Sequence, residues 1–202
     1  MKKILIATLI MVLISGIGLS VFIYLEFGTK KKVSEAKVVD SIKGYEYKLS
    51  DKDTEIYREN FLELKKVLEK DELDEEKYVT LISKLFIIDF FTLDNKVTNK
   101  DIGGVEFVHK DAKENFILKA KDTLYKYIES NIYGDRKQEL PEVSRIDNVK
   151  VETMKVNYKD INDEKAYKVV VNFSYKKDLG YTKQKLMIFV HEDKVLSLIE
   201  MK

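Results

Sequence analysis

The 202-residue chain has no cysteine, no tryptophan, one proline (Pro141) and two histidines. Without cysteine there is no disulfide frame, no thiol nucleophile, no thiolate zinc site, and no attachment point for the lipid of a bacterial lipoprotein. Two histidines, His109 and His191, stand far apart in sequence with none of the spacing that a set of three or four metal ligands needs. We therefore expect no metal and read both as turn or surface residues. Net charge is also lacking: beyond residue 26 the chain carries 34 basic against 34 acidic residues, so no charge field points to nucleic acid. A phosphate-binding glycine loop and a G-x-S-x-G elbow are both missing. No cofactor is expected, and the balance leans away from an enzyme.

What the chain does have comes first in order. Ile4–Leu25 is an uncharged, proline-free run of 22 residues, which as a helix spans roughly 30 Å of hydrocarbon. A cleaved signal peptide has a shorter apolar core and a small-residue cleavage site after it, whereas here the small residues Ser15, Gly16 and Gly18 lie inside the run. We expect an uncleaved anchor over residues 1–27. Lysines flank both ends and nearly balance, but the short N-terminal tail favours export of the long C-terminal part across the plasma membrane. Residue usage rich in Lys, Ile, Asn, Glu and Tyr resembles that of an AT-rich bacterial genome.

Residues 28–49 carry few large apolar side chains and read as a stalk; residues 50–202 read as one α+β domain. Ile56, Tyr57, Phe61, Leu64, Val67 and Leu68 mark one face of a first helix, with Asp51, Asp53 and Glu55 at its positive end. A second helix starts near Asp74, with Leu73 stapled to Tyr78, and continues through Leu81, Leu85 and Ile88 to Phe90. Gly103-Gly104 permits positive φ before a short strand, Val105–His109. Asp111 and Glu114 form a capping box for a third helix whose buried face is Phe116, Ala120, Thr123, Leu124, Tyr127 and Ile128. Four strands follow, and because Val149 and Val151 differ in parity from Met154 and Val156, a bulge is expected near Thr153. Tyr167, Val169, Val171, Phe173 and Tyr175 alternate as the inward face of the next strand.

This order resembles the nuclear transport factor 2-like (cystatin-like) fold, in which a curved antiparallel sheet wraps a long helix around a cone-shaped pocket. A single N-terminal span before such a domain is similar to the bitopic assembly factors of type IV secretion and conjugation systems. The resemblance implies a non-catalytic, extracytoplasmic module that binds protein partners or its own copies; the alternative is a small-molecule or isomerase-like pocket protein of the same fold. Asp89, inside FIIDFF, is the one candidate for a catalytic carboxylate, since burial among aromatics raises a carboxyl pKa. Asp94–Asp101 has calcium-like polar density but lacks the glycine and final glutamate of an EF-hand, and reads as a polar loop. Tyr133, Asp135 and Arg136, between the third helix and the sheet, are the candidate partner surface.

Overall fold

The computed structural model describes residues 2–28, 31–158 and 160–202. The chain falls into two compact units, residues 1–34 with 132–135, and residues 35–131 with 136–202. In the first unit α1, Lys2–Phe27, runs for 26 residues, and Val33 N donates to Ile132 O at 2.6 Å. Its described large apolar side chains all point outward, from Met11 to Leu25. Among the described residues no helix is long and apolar enough to cross a membrane; side chains are described only at 11, 12 and 14–25 of α1, so the expected span over Ile4–Leu25 lies partly outside them.

The second unit is α+β. Among the described residues the whole chain forms four α-helices, a two-stranded sheet and a four-stranded antiparallel sheet. The expected stalk is corrected: β1 (Val38–Ser41) and β2 (Lys48–Ser50) pair antiparallel, and Ile42, Tyr47 and Leu49 are fully buried in the core. The domain therefore begins some fifteen residues earlier than the apolar density suggests.

α2 (Glu55–Leu68) is capped by Thr54, whose side chain accepts from Tyr57 N. It buries Tyr57, Phe61, Leu64 and Val67, the stripe that a period of 3.6 prescribes. α3 (Glu75–Phe91) starts at the expected cap, Asp74, which accepts from Lys77 N. Eleven of its seventeen residues are buried, because α2 covers one side and the sheet another. This second helix lies against the sheet.

Val105–Phe107 forms a turn of 3-10 helix, not a strand; a single bridge from Val108 to Leu198 is what remains of the expected pairing. α4 (Lys110–Asp122) stops six residues before Ile128. The chain then turns so that Tyr125 is buried, while Tyr127, expected inside, is 75% exposed.

β3 (Val143–Tyr158), β4 (Ile161–Tyr175), β5 (Gln184–Glu192) and β6 (Val195–Met201) make the meander in sequence order. β3 has register shifts between Val143 and Arg145, Ile146 and Asn148, and Met154 and Val156. The first two insert a residue each, so Val143, Ile146, Val149 and Val151 all reach the main core despite their mixed parity. The third falls beside the expected position but does a different job. Met154 and Val156 stay apart from Val149 and Val151, in a second cluster with Ala166, Ile188, Val190 and Ile199. Since Val169, Met187 and Phe189 belong to the main core, strand alternation places this small cluster on the opposite face.

Candidate functional site

Asp89 lies in the last turn of α3 and is tied on both oxygens. Oδ1 meets Lys96 Nζ at 2.5 Å, and Oδ2 accepts from Gly104 N at 2.6 Å. The ion pair is largely withdrawn from water, with side-chain exposures of 16% for Asp89 and 9% for Lys96. Both glycines are needed for this approach. A Cβ at Gly103 would stand 2.5 Å from the Asp89 carbonyl oxygen, and Gly104 has φ +71° with Phe86 2.7 Å from where its Cβ would be. The pair thus does more than permit a positive φ.

Around Lys96 stand two further carboxyl groups. Glu106 Oε1 accepts from Tyr57 OH at 3.3 Å, and Asp53 Oδ2 accepts from Ser50 N at 2.6 Å. Burial, then repulsion from Asp89, pushes the Glu106 carboxyl up to about 7, against the pull of Lys96. Burial also raises Asp53, with Asp89 adding to the effect. One ammonium therefore serves three carboxyl groups. Tyr125 closes the arrangement from behind, its OH donating to Phe90 O at 2.8 Å and accepting from Gly103 N at 3.1 Å.

Lys96, Glu106 and Tyr57 were not singled out from sequence. The available signal was the need of a half-buried aspartate for a cation, and Lys96 is seven residues on. A carboxyl raised to about 7 suits general acid–base work. Two surface hollows of the domain, of about 320 and 470 Å³, are lined by other residues, His191 and Asp193 among them. The geometry of Asp89 is that of a tie between the end of α3 and both ends of the loop that follows it.

The raised Glu106 carboxyl has a measurable consequence. Between its ordinary value of 4.5 and about 7 the folded chain holds a proton that the unfolded chain has released, so stability falls as pH rises through that window. Glu106→Gln cannot ionise. Its stability should match that of the parent near pH 4 and exceed it by on the order of 2–3 kcal/mol at pH 8. Urea unfolding across this range checks it; equal stabilities at pH 8 would show Glu106 to be comfortably ionised in the fold.

Arg136 corrects the expected partner surface. Its side chain is 3% exposed and turned inward, with Nη2 donating to Asp94 O at 2.6 Å and Nη1 to Lys96 O at 2.8 Å. A third carbonyl, Glu129 O, lies 3.4 Å from Nη1. In the polar loop after α3, then, carbonyls that could face a metal face a guanidinium. Asn131 N donates to Val97 O at 2.7 Å and locks the same loop. Tyr133 and Asp135 are exposed and belong to the unit that contains α1.

His109 is not a surface residue either. It is 5% exposed and caps α4, Nδ1 accepting from Asp111 N at 3.2 Å. That bond leaves the ring proton on Nε2, which faces Glu192 at 3.8 Å. His191 sits at the end of β5, as expected, with Nδ1 2.9 Å from Asp163 Oδ2. Among the described residues no group of histidines and carboxylates could hold a metal ion.

The interior between helices and sheet is filled by rings. Phe91 meets Phe173 at 5.3 Å between centroids, Phe173 meets Tyr175 at 5.5 Å, and Phe90 meets Phe116 and Tyr125 at 5.1 and 5.4 Å. Phe173 and Phe189 are 1% and 0% exposed. These are the distances of packed core aromatics. No family model, no curated protein and no solved structure matches the chain.

Proposed function

We propose that the chain is a membrane-tethered, extracytoplasmic module of a bacterial envelope that acts by binding protein, without catalysis, on a nuclear transport factor 2-like scaffold. The observation that carries this reading is the ring-filled interior. On that scaffold a pocket enzyme would need open space between helices and sheet, where Phe91, Phe173 and Tyr175 are packed, and this favours surface contact as the domain's mode of action. The order of helices before a bulged four-stranded meander supports the scaffold. The uncharged Ile4–Leu25 run and the outward apolar side chains of α1 support the tether. A tether confines weakly interacting domains to one surface and raises their effective concentration, which fits a module of a secretion or conjugation assembly.

The tether and its direction are tested on the full-length chain. It should stay in the membrane pellet after a carbonate wash, and protease added to intact protoplasts should digest the domain beyond Lys31. Release by carbonate, or a domain that survives protease until the membrane is opened, would overturn the reading.

A further inference from the structure

β3 is an edge strand: β4 lies on one side, and among the described residues no strand lies on the other. Bulges disturb its first half, but its register is regular from Val149 to Met154. Such an edge offers unpaired N–H and C=O groups to a further strand unless charge or bulges forbid it. What the charges do when a strand is added therefore decides what can dock.

Lys150 and Glu152 flank Val151 and share one face of the sheet. Their side chains are 67% and 42% exposed, and they now pair with each other at 2.7 Å. Glu152 Oε2 also meets Lys168 Nζ of β4 at 2.9 Å, so one carboxylate serves two exposed ammonium groups. Such pairs contribute little to stability, and Lys150 can turn to a new partner without leaving Glu152 unpaired.

We propose that β3 pairs antiparallel with β3 of a second copy, about a two-fold axis through Val151. In this register Lys150 stands opposite Glu152 of the second copy, and Glu152 opposite its Lys150, giving two opposite-charge pairs on one face. Val151 meets its own counterpart on the other face, and Val149 meets Thr153. Both valines are only partly buried at the margin of the main core, and the added strand covers them. Centring the pair on Lys150 instead would oppose two lysines; centring it on Glu152 would oppose two glutamates. Like charges directly across a strand pair repel, so of the registers centred on 150, 151 and 152 only the one at Val151 sets unlike charges against each other. The inference rests on the tethered-module reading and names its partner as the chain itself.

The cysteine-free sequence makes the test direct. Val151→Cys in the full-length chain, oxidised in isolated membranes with copper–phenanthroline, should give a disulfide dimer. Lys150→Cys and Glu152→Cys should link poorly alone and well when both are present. In the Val151→Cys background, Lys150→Glu and Glu152→Lys should each reduce the dimer about tenfold by opposing like charges, and a mixture of the two should restore it. A yield at 151 no greater than that from a cysteine at the exposed Lys121 overturns the proposal, as does failure of the mixture to recover. A cysteine at 151 that links to a different protein overturns the second-copy assignment but leaves the tethered-module reading intact, since that reading is judged by the carbonate and protease results.

Discussion

Lys96→Met should destabilise the domain by about 3–5 kcal/mol, the cost of removing one partner from a buried ion pair. Methionine fills the space of the lysine stem but leaves Asp89 without its cation, beside Glu106 and Asp53. The penalty should shrink as pH falls, because protonating Glu106 and Asp53, whose carboxyl groups are both raised, removes their repulsion. Asp89→Asn removes the closest of the three carboxylates, leaving the ammonium to Glu106 and Asp53, and should cost ~2–3 kcal/mol, while keeping a carbonyl oxygen for Gly104 N. The double variant should cost less than the sum of the singles, since each single pays for the charge left behind. Urea unfolding at pH 7 and pH 5 gives all of these values. A loss below about 1 kcal/mol for Lys96→Met, the size expected of a solvated pair, would mean that the loop after α3 is held by other contacts.

Arg136→Ala should cost about 2–4 kcal/mol, because hydrogen bonds from a charged donor are worth more than neutral ones and their carbonyl partners are left unpaired. Arg136→Lys should recover only part of this, since an ammonium cannot span Asp94 O and Lys96 O with the planar fork seen here. Local opening should appear with the global loss. Amide exchange at Asn131, whose N–H is bonded to Val97 O, should speed up more than exchange in the centre of β4. If Arg136→Ala leaves both the unfolding midpoint and this amide unchanged, the guanidinium is an ornament of the loop and the residue returns to the list of surface candidates.

How much of this could be read in the sequence depends on how local each cause is. α2 and α3 were legible because their buried stripes, and for α3 the cap Asp74, are written in consecutive turns, whereas the Thr54 cap of α2 comes from the structure. The meander was legible because β4 alternates cleanly from Tyr167 to Tyr175. The β1–β2 pair was missed although Tyr45, Tyr47 and Leu49 do alternate; a strand of three residues gives too short a period to stand out from a linker. The five-residue stretch Val105–His109 reads as a strand for the same reason, and after left-handed Gly104 its first three residues form 3-10 helix.

α4 was expected to reach Ile128, but Tyr125 must deliver its phenol to Phe90 O and Gly103 N. That demand comes from another part of the chain and ends the helical register at Asp122. The candidate site divides in the same way. Asp89 could be named from its aromatic neighbours alone. Its partners are assembled by loops, so neither the closeness of Lys96 nor the raised carboxyl of Glu106 is visible in any local pattern. Arg136 was placed on a surface because a connector is its usual home; only the fold shows the carbonyls that draw it in.

The central claim is that this domain works by touching other proteins, its own copies included, at a membrane. Photo-crosslinking from residues spread over the exposed surface of the full-length chain, in intact cells, tests it most directly. The account predicts discrete adducts confined to a few positions, with β3 residues among them, and none from buried positions such as Phe173. Monomer alone at every exposed position, from a chain that is folded and membrane-bound, would contradict it.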